Sequence, residues 1–107
     1  MLKYKRYSFA SIADGAEDLT DMLAGASGKN RRIVSFTGEQ TDLQYIRIYR
    51  DAEQMVDVIS DALTATEPWL KLDIPLAEGQ LLKVGYWNNT GGAVTTQEVC
   101  IGYEETA

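Results

Sequence analysis

The sequence predicts an all-β domain, an antiparallel β-sandwich of jelly-roll type with room for at most one short helix. Three observations carry that prediction. Apolar and polar residues alternate with period 2 in six or more short segments. Clusters of Gly, Asn and Asp punctuate those segments. No segment shows the strand–helix alternation that builds a parallel sheet. The clearest instance runs from Leu81 to Glu104, where two β-rich runs flank Asn88-Asn89-Thr90-Gly91-Gly92. Those five residues tolerate positive φ, so a β-hairpin is predicted there.

Taken in order, Lys3 to Ile12 forms a first strand, with Tyr7 and Phe9 on one face and Arg6, Ser8 and Ala10 on the other. Asp14 to Gly25 is open. Asp14-x-x-Glu17 resembles a capping box and Gly25 sits where a C-cap belongs, yet a strand disrupted by Gly15 fits equally. Arg31 to Thr37 is a strand with Ile33, Val34 and Phe36 apolar, and Leu43 to Arg50 another, with Ile46 and Ile48 alternating against Tyr45, Arg47 and Tyr49. Asp51 to Leu63 fits helical spacing at Met55, Val56, Ile59 and Leu63, but β-branched residues dominate its middle, which favours a hairpin. Leu70 to Leu76 alternates cleanly, and Pro75 makes it an edge strand because proline cannot donate to a ladder. The core is expected to include Ile46, Ile48, Leu72, Val84, Val99 and Ile101.

A chain of 107 residues is one domain, residues 1–107, and such a domain buries about two-thirds of its unfolded surface. There is no histidine and only one cysteine, Cys100, expected to be reduced and buried in a protein of intracellular origin. That excludes an intrachain disulfide, Cys/His zinc centres and histidine-based acid–base catalysis. No apolar run approaches the roughly 20 residues of a membrane span, and Met1 to Tyr7 lacks the hydrophobic segment of a secretory signal. The net charge of −6 argues against nucleic acid as a partner. Six of the ten basic residues nevertheless lie within the first 32 positions, Lys3, Lys5, Arg6, Arg31 and Arg32 among them. They read either as a solvated strand or as a basic edge that docks on an acidic protein surface.

No catalytic, cofactor or metal set emerges, so neither a cofactor nor enzymatic activity is expected. The acidic residues Asp14, Glu17, Asp18 and Asp21 lack the ligand spacing of an EF-hand loop. Asn88-Asn89-Thr90 matches a glycosylation pattern only by chance. More telling are the aromatic residues. Leu82, Val84 and Tyr86 form a core face, which turns Trp87 outward; Trp69 shares parity with Lys71 and Asp73; Tyr45 and Tyr49 flank Arg47. Trp, Tyr and Arg are the residue types enriched at binding hot spots. Trp69, Trp87, Tyr45, Arg47 and Tyr49 are therefore candidate partner contacts, with the basic group beside them.

The succession of a basic first strand, Tyr45-Ile-Arg-Ile-Tyr49, Val56-Asp57-Val58, Leu76-Ala-Glu-Gly-Gln80, Val84-Gly-Tyr-Trp-Asn-Asn-Thr-Gly-Gly92 and Ile101-Gly-Tyr-Glu104 resembles the small β-sandwich accessory proteins of tailed bacteriophage particles. These are capsid decoration (cement) proteins and related head modules. The resemblance implies a virion protein, made in the host cytoplasm, that assembles as a homo-oligomer, often a trimer, and braces the outer shell by binding the major capsid protein. It implies no catalytic residue. The long N-terminal arm of some decoration proteins is missing. An alternative is a small carbohydrate- or receptor-binding sandwich, in which Trp69, Trp87 or Tyr86 would stack on sugar rings.

Overall fold

The computed structural model describes residues 1–106. Eight strands follow one another: β1 Leu2–Ile12, β2 Glu17–Ala24, β3 Asn30–Gly38, β4 Gln44–Arg50, β5 Glu53–Ile59, β6 Leu70–Leu76, β7 Leu81–Asn88 and β8 Val94–Thr106. A single 3-10 turn, Ser60–Ala62, follows β5, and no α-helix occurs among the described residues. The strands form two four-stranded antiparallel sheets, β1-β8-β3-β6 and β2-β7-β4-β5, stacked as a jelly-roll sandwich. The open segment from Asp14 to Gly25 is thus a strand. Gly15, at φ 75°, makes the turn that leads into it.

Every connection but one switches sheets. The exception is β4–β5, a hairpin closed by Asp51-Ala52, as the β-branched pattern of residues 51–63 predicts. The expected hairpin from Leu81 to Glu104 is not formed. Its two arms, β7 and β8, lie in different sheets, and Asn88 to Gly92 carries the chain across the end of the sandwich. The reason is burial. The apolar faces of β7 and β8 are satisfied by facing each other through the core, which pairing side by side in one sheet would not achieve. Turn-forming residues report a change of direction and are silent about which strand becomes the neighbour.

Parity fixes the core. Ile46, Ile48, Leu82, Val84, Tyr86, Val99 and Ile101 are buried, joined by Ile12, Met22, Ile33 and Phe36. Leu72 is only half-buried although Ile74 and Leu76 of the same edge strand are covered; it falls where the β3–β6 register shifts between Ile33 and Ser35. Cys100 is half-exposed on the outer face of the first sheet rather than buried, since its neighbours Val99 and Ile101 take the inward positions. Four polar residues are enclosed as well: Gln44, Ser60, Asn88 and Gln97. Gln44 Nε2 donates to Gln97 Oε1 at 3.1 Å and so links the two sheets. Both glutamines share parity with core residues of their strands, a clue present in the sequence.

Candidate functional site

The candidate contact residues separate onto opposite faces of the sandwich. On the outer face of the second sheet, β4 presents Tyr45, Arg47 and Tyr49, and β7 places Trp87 beside Tyr45. The Arg47 guanidinium lies 4.7 Å from the centre of the Trp87 ring. Its Nη1 donates to Glu17 Oε2 at 2.9 Å, and its Nε donates to Asp57 Oδ1 at 3.3 Å. Tyr49 adds its hydroxyl to the same Glu17 oxygen at 3.0 Å. Hydrogen bonding to Glu17 holds the Arg47 pKa above its ordinary value, while burial, together with the Glu17 bond, raises that of Tyr49. All four strands of the sheet contribute to this network, so its first task is structural. Trp87 is outward, as parity demands, but half-buried beneath Arg47.

The other face is built differently. Tyr4 on β1 and Trp69, just before β6, meet edge to face with ring centres 5.6 Å apart. They do so above the small residues Gly102 and Ser35 of the two central strands. A Cβ on Gly102 would meet the Ser35 hydroxyl and come within 3.1 Å of the Tyr4 ring, so glycine supplies the shallow floor. Tyr4 is 60% exposed and Trp69 40%. Leu2 and Tyr7 are also exposed, at 49% and 44%. Tyr7 has the core-side parity that was expected of it, yet only Phe9 is covered there; Tyr7 packs edge-on against it at 4.9 Å. Tyr4 escaped attention in the sequence, although its shared parity with Arg6 and Ser8 marks it as outward.

The basic residues are largely neutralised by strand pairing. β8 runs between β1 and β3 and brings Glu105 into the midst of three cations. Lys3 and Lys29 reach its Oε1 at 3.0 and 3.3 Å, and Arg31 its Oε2 at 2.8 Å. Those hydrogen bonds, with Lys3 and Arg31 foremost, hold the Glu105 carboxyl down to about 2. Arg6 pairs with Glu98 at 3.2 Å, and Arg32 pairs with Asp73. Of the five bases singled out, Lys5 has no ion pair among the described residues. Most of the basic side chains on β1 and β3 are thus held in ion pairs on the sheet surface. The acidic group is likewise dispersed: Asp14 caps a turn by accepting from Gly91 N at 3.1 Å, and Glu17 belongs to Arg47. Among the described residues no group of three acidic or thiol side chains is placed to hold a metal ion.

An open cleft of about 730 Å³ lies between the β2–β3 and β6–β7 turns, lined by Lys29, Arg31, Arg32, Glu78 and Glu104. Acids and bases offset one another along its walls.

The fold defines the class as an eight-stranded antiparallel sandwich. No protein-family model matches the chain, and no curated protein does. Among solved structures, the nucleoplasmin-like N-terminal domain of Drosophila FKBP39 is similar, with a TM-score of 0.52 and 11% sequence identity. That likeness covers 100% of this chain and 92% of the other. At such identity it is a likeness of fold.

Proposed function

We propose that this chain is a non-enzymatic structural module that acts by protein–protein contact, and that its particular task is to decorate and brace the outer shell of a bacteriophage particle. The observation that carries the reading is the Tyr4–Trp69 pair. Two large aromatic rings stand exposed on a flat sheet face, floored by glycine and serine, beside the exposed Leu2. Isolated apolar residues on a surface need no explanation, but a contiguous patch on a small soluble domain marks a contact site. Tryptophan and tyrosine are also the side chains that dominate binding energy at interfaces.

Geometry weighs against the sugar-binding alternative. Stacking on sugar rings wants a flat, open aromatic row. Tyr4 and Trp69 stand at 60° to each other, and the Trp87 face carries Arg47.

Sedimentation with capsid particles of the phage that encodes the chain tests the proposal. Wild-type protein should pellet with the particles, and W69A should weaken attachment by about tenfold or more, the scale of a hot-spot truncation. Protein that ignores the particles but binds oligosaccharides on a glycan array would overturn the reading.

A further inference from the structure

We propose that the core of the sandwich binds an internal water molecule, held by the side-chain oxygen of Gln44 in a polar layer that closes one end of the core.

The layer is built by strand register. Gln44 of β4 stands opposite Asn88 of β7. On its other side lies Ser60, just past β5, and the two residues share one acceptor: the Thr41 carbonyl takes the Gln44 backbone N–H at 3.3 Å and the Ser60 hydroxyl at 2.7 Å. Gln97 of β8 reaches across from the first sheet to Gln44. Gln44, Ser60, Asn88 and Gln97 are the enclosed polar residues among the described ones, and they gather in this one place.

A single acceptor fixes how the amides point. Thr95 O can only accept, so the end of the Gln97 amide that faces it at 2.9 Å is the NH2 group. Gln97 therefore turns its oxygen toward Gln44, which answers with its own NH2 group at 3.1 Å. The Gln44 oxygen is left over. It is buried and has no hydrogen-bond partner among the described residues. Flipping either amide would set two like groups face to face, so the leftover oxygen is a property of the whole network.

The chemistry of the layer selects water. A buried carbonyl-type oxygen without a donor is costly, and ordered water is the usual remedy where several polar groups meet. Asn88 offers nothing more: its amide already donates to Ile12 O and Gly92 O, and its oxygen accepts from the Thr90 N–H and hydroxyl. The occupant therefore sits on the Ser60 side of Gln44. There Ser60 Oγ accepts from Thr41 N at 3.0 Å and keeps a lone pair for a second donor, as does Gln97 Oε1. A water donates one hydrogen to Gln44 Oε1 and the other to one of these. A metal ion fits poorly, because no carboxylate belongs to the layer.

A high-resolution crystal structure of the full chain, with oxygen-17 relaxation dispersion of wild type and Q44M in solution, tests the proposal. The crystal should show a water about 3 Å from Gln44 Oε1. The dispersion should report a long-lived internal water in wild type that is lost in Q44M, which keeps the length of the side chain and removes its oxygen. Oxygen-17 is chosen because hydroxyl hydrogens exchange with solvent and would mimic a bound water in proton measurements. A Gln44 oxygen with no density beside it, density with the short contacts of a metal ion, or equal dispersion in wild type and folded Q44M would overturn the site. Should Q44M fail to fold, the wild-type crystal decides alone.

Discussion

The hydroxyl of Tyr86, on β7, crosses the core and donates to the backbone carbonyl of Glu98, on β8, at 2.8 Å. It also accepts from the backbone N–H of Glu39 at 2.9 Å. A fully buried phenol thus stitches together two sheets that share few direct strand contacts. Gly38 makes room for it, since a Cβ there would meet the Tyr86 oxygen.

Removing that hydroxyl should therefore loosen the sandwich. Y86F is expected to cost about 1–3 kcal/mol, because it strands a buried donor and acceptor. Urea denaturation reads the loss. G38A should destabilise wild type clearly but cost less in the Y86F background, where the clashing oxygen is gone. Equal costs in the two backgrounds would mean that the contact is not felt.

The same residue sets the alkaline limit. Burial raises the Tyr86 pKa far above the ordinary tyrosine value of about 10. The folded state favours the neutral phenol, so this contribution is complete below pH 10 and is lost as pH rises beyond it. Stability measured between pH 9 and 11.5 should fall with a steeper slope in wild type than in Y86F.

At acid pH the governing group is Glu105. Its folded pKa of about 2 lies below the ordinary carboxylate value of 4.5. A depressed pKa contributes stability above the unfolded value, and that stability is lost as pH falls toward 2. Carboxyl-detected NMR titration should find Glu105 still ionised at pH 3.5. E105Q should flatten the acid limb of the stability curve.

Core truncations should follow burial rather than hydrophobicity. I101A removes a side chain with no exposed surface and is expected to cost about 2–5 kcal/mol. L72A, at a half-buried position of β6, should cost distinctly less. Thermal melts of the pair give the ranking, and a reversed order would contradict the strand placement.

Single-tryptophan variants separate the two faces. With Trp87 replaced by Phe, the remaining Trp69 should emit at longer wavelength and be quenched readily by acrylamide. With Trp69 replaced, Trp87 should be shielded by the Arg47 guanidinium above it and the Tyr45 ring 5.2 Å away.

Taken by itself, the sequence determined where most of the strands lie and which way most of their side chains point, while Asp14 to Gly25 stayed open between helix and strand. Alternation at Ile46 and Ile48, or at Leu82, Val84 and Tyr86, is a local property, written into adjacent residues by the pleat. It placed Trp69 and Trp87 outward, and Pro75 put β6 at an edge. Tertiary structure alone decided which strands became neighbours. Asn88 to Gly92 read as a hairpin turn, but the Asn88 side chain is buried and donates to Ile12 O and Gly92 O, pinning a crossover between sheets. Likewise, only the pairing of β8 with both β1 and β3 gathers Lys3, Arg31 and Glu105, residues as far as 102 positions apart. The meeting of Tyr4 with Trp69 needs four strands in order β1-β8-β3-β6. Such long-range contacts form because whole apolar faces must be buried together, a condition that no short stretch of sequence can express.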